Sequence, residues 1–148
     1  MDNISQLTEK LNPLFGGMLE LTEDGQAIKV SKDNVVKLIQ TLKETHKYNM
    51  LVDISAVDYE DRYEIVYHLM AIENAEVIRV KVMLPKDSPR IPSIVSLWKA
   101  ADVQEREAYD LFGIIFEGHG NLKRIFLPEE FVGHPLRKDF KVETISRF

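Results

Sequence analysis

Residues 50–84 constrain the fold more than any other stretch. Met50, Val52, Ile54 and Ala56 alternate with a more polar set, and Tyr63, Ile65, Tyr67 and Leu69 do the same. Ile78, Val80, Val82 and Leu84 make a third apolar row, opposite Arg79 and Lys81. A period of two places each row on one side of a strand. Short polar turns at 58–61 and 73–75 join the rows. The pattern predicts an antiparallel meander with one solvated face.

The elements before it supply a second layer. Ile4, Leu7, Leu11 and Leu14 share a helical face, which Asn12-Pro13 and Gly16-Gly17 interrupt. Short strands at 18–21 and 27–30 flank Asp24-Gly25, a hairpin turn signal. Ser31 is the expected cap of a helix carrying Val35, Leu38, Ile39 and Leu42 on one face. That helix is expected to end near Lys47, with Lys43 and Lys47 at its C-terminus. The order helix, strand, strand, helix, strand, strand, strand predicts an α+β fold, a two-layer sandwich with helices on one face of the sheet. Prolines 85, 89 and 92 then make an irregular connection. A short helix follows over 101–112, ended by Gly113, and an extended C-terminal tail completes the chain. The chain divides into a sheet region, 1–90, and a motif helix with an interaction tail, 91–148, within one domain.

With 148 residues and 45% hydrophobic content, the chain can bury one core. Its net charge of −5 argues against a basic nucleic-acid binder. It contains no cysteine, so disulfides and thiolate-held iron–sulfur clusters have no ligands here. Residues 1–5 show no basic n-region or apolar h-region of a signal peptide. No apolar run approaches the roughly 20 residues of a membrane helix. Association with a membrane is therefore expected only through partner chains.

Residues 105–139 mix charges of both signs with aromatics, glycines and prolines. On a helical wheel Ala101, Glu105, Ala108 and Phe112 share a stripe, so Glu105 falls on the apolar face. A carboxylate there needs a cation or donors, or it takes up a proton. Arg90, Arg124 and Arg137 are the candidate partners, because a guanidinium fork holds a carboxylate by two bonds. Glu105 then pins the tail to the domain, or Glu105 or Glu107 fixes register on another protein. Asp102, Arg106 and Asp110 recur at i+4 on another side of the helix and predict a ladder of ion pairs, each worth a few tenths of a kcal/mol if exposed. His119 and His134 each follow a glycine in the tail, without the neighbours a metal site requires. His46 and His68 are expected at the surface or satisfied. Lys123-Arg124, Arg137-Lys138 and Lys141 make the tail locally basic, among Phe116, Phe126, Phe131 and Phe140. Arginine beside aromatics is an interface composition.

The run Glu105-Arg106-Glu107-Ala108-Tyr109-Asp110-Leu111, followed by His119, Arg124 and Ile125, resembles the signature of the C (30 kDa) subunit of NADH:quinone oxidoreductase, respiratory complex I. Pro92-Ser93-Ile94 and Trp98-Lys99-Ala100-Ala101 resemble its lead-in. Gly133-His134-Pro135-Leu136-Arg137-Lys138-Asp139-Phe140 resembles its closing motif. Two positions depart: Gly120 stands where relatives often have proline, and Phe131 where many have tryptophan. The resemblance implies a non-catalytic peripheral-arm subunit packed against the quinone-site (D-type) subunit, on the cytoplasmic face of the cell membrane. It implies no cofactor in this chain, with flavin and iron–sulfur clusters held by partner subunits. The matching positions would form the subunit interface: Glu105, Arg106, Glu107, Asp110, His119, Arg124, His134, Arg137, Lys138 and Asp139. Related subunits in membrane-bound energy-converting hydrogenases share the motif. A reading of another class is a stand-alone acid–base enzyme using Glu105 or Glu107 with His119 or His134, which needs those groups together in a pocket.

Overall fold

The computed structural model describes residues 3–128 and 130–137. Lys138, Asp139, Phe140 and Lys141 lie outside the described residues. Five strands form the main sheet: β1 (Glu20–Leu21), β2 (Ala27–Lys29), β3 (Met50–Asp58), β4 (Arg62–Ala71) and β5 (Glu76–Pro85). Their spatial order is β1-β2-β5-β4-β3. The meander is present, with β3 and β5 both antiparallel to β4. β2 lies parallel to β5, so the sheet is mixed. The long edge strand is β3, and it carries a bulge between Leu51 and Asp53.

The alternation sets the layers. Tyr63, Ile65, Tyr67 and Leu69 of β4 are closed from solvent, as are Ile78, Val80, Val82 and Leu84 of β5. Against this region pack Val35, Leu38, Ile39 and Leu42 of helix α2 (Val35–Glu44) and Leu11 of helix α1 (Asn3–Leu11). Truncating one such aliphatic side chain to alanine costs about 2–5 kcal/mol. The opposite face carries charge, as in the Lys81–Glu64 pair at 3.7 Å.

Local chemistry shifted three element ends. α1 stops at Leu11, and Asn12-Pro13 continues as a 3-10 turn through Phe15. Ser31 does not cap α2; its carbonyl accepts the Asn34 N–H, and Asn34 precedes the first turn. α2 ends at Glu44 rather than near Lys47, because Lys47 adopts a φ of 66° and reverses the chain. Lys43 points its ammonium at the Leu97 carbonyl, 2.5 Å away, and over the Trp98 ring.

Beyond β5 the connection is more regular than its prolines suggest. β6 (Arg90–Pro92) pairs in parallel with β7 (Ile115–Glu117). Between them runs α3 (Ala101–Phe112), which packs on the edge strand β3. Gly113 ends it with a φ of 78°, as its position predicts.

Candidate functional site

The described motif residues gather around α3, and Glu105, Asp110, Arg106, His119, Arg124 and His134 spend polar atoms inside the chain. Glu105 is fully buried. The bonds it makes are to neutral donors, not to an arginine. The Ser93 hydroxyl donates to Oε1 at 2.5 Å, and the Ile94 N–H donates to Oε2 at 2.8 Å. The predicted arginine partners are engaged elsewhere: Arg90 with Glu117, Arg124 with Asp110, and Arg137 over the Tyr63 ring. Burial pushes the Glu105 carboxyl above its ordinary range, and the two neutral donors recover only part of that cost. The Tyr67 hydroxyl, sealed in the same interior, is raised by burial and then by Glu105.

Asp110 corrects the predicted ladder. It is as buried as Glu105, and it faces the loop rather than Arg106. Its Oδ2 accepts the N–H groups of Ile125, Phe126 and Leu127 at 3.0, 2.7 and 3.1 Å. Its Oδ1 meets Arg124 Nη1 at 3.0 Å. Three successive amides and a guanidinium form a small anion nest. Burial would raise this carboxyl, but the amides and Arg124 outweigh burial and hold it below the usual value. Arg124 Nη2 also donates to the Gly133 carbonyl at 2.7 Å. Arg106 turns away from both acids and donates to the carbonyls of Lys123 and Arg124.

The last carbonyls of α3 are closed by the same loop. Gly113 N–H donates to Tyr109 O, and Leu136 N–H donates to Leu111 O. His134 Nδ1 lies 2.9 Å from Asp110 O, and since a carbonyl only accepts, the proton resides on Nδ1. The imidazole packs where a Cβ on Gly113 would sit, 2.7 Å from its Cδ2. Glycine is therefore required there twice, for its φ and for the ring above it.

The His119 side chain is buried, although the residue lies in the irregular segment after α3. The Asn121 N–H donates to its Nδ1, which leaves the proton on Nε2. Nε2 lies 2.9 Å from Asp102 Oδ1. Asp102 thus pairs with the loop histidine instead of with Arg106. Glu105 and the His119 ring are both shut off from solvent, 0% and 2% exposed, which gives an acid–base pair no substrate access. Among the described residues no group of three His, Cys, Asp or Glu side chains could hold a metal ion.

Beside the exposed Lys123 and Glu130, the locked loop presents three large apolar side chains outward. Phe126 is 57% exposed, Val132 89% and Leu136 54%. Glu107 lines a groove beside β3 with Leu136. Two further residues have roles that the local pattern does not disclose: Ser93, which lies in the lead-in motif and is the neutral partner of Glu105, and Gln104. The Gln104 amide accepts the Ile54 N–H and donates to the Val52 carbonyl. Gln104 adjoins Glu105 on the helix, but only the folded chain sets it opposite the β3 bulge.

These contacts define a class: a small α+β module whose charged motif turns inward to fix one loop against a helix end. Residues 28–146 match the family described as the respiratory-chain NADH dehydrogenase, 30 Kd subunit, and the chain belongs to that family. It is 48% identical over 148 residues to the C subunit of the NADH-quinone oxidoreductase of Moorella thermoacetica, covering 97% of each chain. It is 45% identical over 123 residues to the corresponding protein of Citrifermentans bemidjiense, covering 81% of this chain and 76% of that one. A trypsin-resistant fragment (1–134) of Nqo5 superposes with a TM-score of 0.68 at 27% identity, over 79% of this chain and 99% of the fragment. A chain of an archaeal membrane-bound sulfane sulfur reductase superposes with a TM-score of 0.77 at 26% identity, over 94% of this chain and 86% of that one. No helix among the described residues is long and apolar enough to cross a membrane.

Proposed function

We propose that the chain is a non-catalytic structural subunit of an NADH:quinone oxidoreductase, docking through the loop that Asp110 and Arg124 hold. The carrying observation is the division of labour in the motif. Its buried charges are consumed internally, while Phe126, Val132 and Leu136 are left outward on a fixed loop. Burying exposed aromatic and aliphatic anchors is what drives stable subunit association. The near full-length match to the Moorella thermoacetica protein supports the same assembly. The occupant of this face is the D-type subunit that frames the quinone site. The chain supports electron transfer from NADH to quinone, coupled to ion translocation, at the cytoplasmic face of the membrane. It reaches that membrane through its partners. With no cysteine in the sequence, thiolate-bound clusters belong to other subunits.

The test is affinity purification from solubilised membranes with the partner chains identified. Phe126→Asp with Val132→Asp should abolish co-purification of the D-type subunit and leave the isolated chain's thermal unfolding nearly unchanged, because both side chains are exposed. Normal assembly of that double variant would overturn the reading, as would a bound flavin or turnover by the isolated chain. The superposition on a chain of the sulfane sulfur reductase complex keeps one second reading, a homologous subunit in an energy-converting hydrogenase-type complex. The electron-input subunits recovered in the same purification separate the two.

A further inference from the structure

The edge of β3 is used along only part of its length. At Val52 and Ile54 the Gln104 amide occupies the place of a neighbouring strand's peptide group, accepting from Ile54 N–H at 2.9 Å and donating to Val52 O at 3.3 Å. In an antiparallel ladder successive residues turn their backbone groups alternately toward and away from the partner strand. Ile54 faces outward to Gln104, so Ala56 faces outward as well. Among the described residues, no turn, loop or side chain hydrogen-bonds the backbone of Ala56.

A groove of about 270 Å³ opens at this position, one helical turn beyond Gln104. Ala108, Leu111 and Phe112 give it an apolar wall facing Ala56. Asp53 and Glu107 supply two carboxylates, and among the described residues no lysine, arginine or histidine lines it. Leu136 of the locked loop borders it, so the groove is continuous with the docking face proposed above.

We propose that this groove receives an extended segment of a neighbouring subunit, added to β3 as a short strand. The segment places an apolar side chain over Ala108 and Leu111 and a lysine or arginine between Asp53 and Glu107. Main-chain pairing with Ala56 supplies affinity, and the two carboxylates supply the charge preference, as in other strand-addition complexes. The inference rests on the reading that the chain works inside a larger assembly, and it names a second contact within that assembly.

The native sequence has no cysteine, so a single introduced thiol is unique in this chain. Ser55→Cys, at a groove-lining position that keeps both carboxylates, and, separately, Val132→Cys are labelled with a short photo-crosslinker in the complex purified from membranes, and the adducts are mapped by mass spectrometry. The proposal expects Ser55→Cys to capture a segment of another subunit with a lysine or arginine beside an apolar residue. Capture of this chain itself, of a second copy, or of a helical segment overturns it. Adducts from position 132 alone overturn the groove and leave the docking reading standing; adducts from neither overturn both. Ala56→Pro removes an outward N–H that the ladder does not use. Added to Ser55→Cys, it should lower the adduct about tenfold, the worth of one or two main-chain hydrogen bonds, while position 132 still crosslinks. Asp53→Lys, a charge reversal at a half-buried side chain 3.9 Å from His68 Nδ1, should lower the same adduct without touching the strand backbone. Unchanged yield in both variants sinks the strand-addition mode.

Discussion

Glu105 and Asp110 sit on one helix, both closed off from water, and their carboxyls shift in opposite directions. Glu105 faces a hydroxyl and one amide. Asp110 faces three amides and a guanidinium. Burial opposes ionisation at both ends of α3. The number and charge of the donors decides which carboxyl stays ionised at low cost. The N-terminal half of the helix thus holds a carboxyl tuned toward neutrality against the 93–94 segment. The C-terminal half holds an ionic lock on residues 124–127.

The largest effect should come from breaking the lock. Asp110→Ala removes the carboxylate that the Arg124 charge and three inward amides share, a loss of about 3–5 kcal/mol by analogy with other severed buried pairs. Urea unfolding measures it, and hydrogen exchange at Ile125, Phe126 and Leu127 shows whether the loop opens before the sheet. A loss below about 1 kcal/mol, the worth of one ordinary hydrogen bond, would mean the loop is held by its other contacts. The pH sign follows from the lowered carboxyl. Stability from Asp110 is fully present above the ordinary carboxylate value and disappears as pH falls through the lower folded value. Asp110→Asn should remove that acid-side loss.

Next in size is the seat of His134. Gly113→Ala forces a side chain into a φ of 78° and against the imidazole. Left-handed strain costs about 1–2 kcal/mol, and displacing His134 also exposes the Asp110 carbonyl it serves. Faster exchange at Leu136 N–H, with the sheet amides unchanged, would tie the effect to this end of α3. Equal loosening of β4 and β5 would place it in the core instead.

The two ends of α3 also differ in how far the sequence disclosed them. Alternation in 50–84 announced the strands because one face of each row is buried, and Gly113 marked the helix end through its backbone freedom. The wheel also put Glu105 on the buried stripe correctly. It failed to name the partner, because Ser93 and Ile94 belong to a segment brought beside α3 by the β6–β7 pairing. The i+4 spacing pairs Asp110 with Arg106, because it describes only one helix's own surface. The amides that capture it come from a loop with no periodic pattern, and backbone donors carry no residue-type signature. The parallel placement of β2 beside β5 was hidden for a related reason, as local patterning does not encode which distant strands become neighbours.

The smallest predicted change is the most discriminating for the comparison. In Glu105→Gln the amide oxygen can accept from Ile94 N–H, while its NH₂ donates to Ser93 Oγ, a hydroxyl that also accepts from Val95 N–H. Both contacts survive with donor and acceptor exchanged at the serine. The charge disappears, and with it the desolvation cost. The wild-type carboxyl is raised in the folded state, so its stability is greatest below the ordinary value. It then falls as pH rises toward the folded value and stays flat above that. The Gln variant should lack this fall and match or exceed wild type by up to about 1 kcal/mol at neutral pH, as expected for a buried charge exchanged for a neutral group of its shape. Unfolding curves at acidic and neutral pH give the difference directly. A loss of more than about 2 kcal/mol at neutral pH would imply that the Ser93 and Ile94 bonds to the carboxylate outweigh the cost of burying it. The two ends of α3 would then be alike, and the contrast between a costly buried carboxyl and an ionic lock would fail.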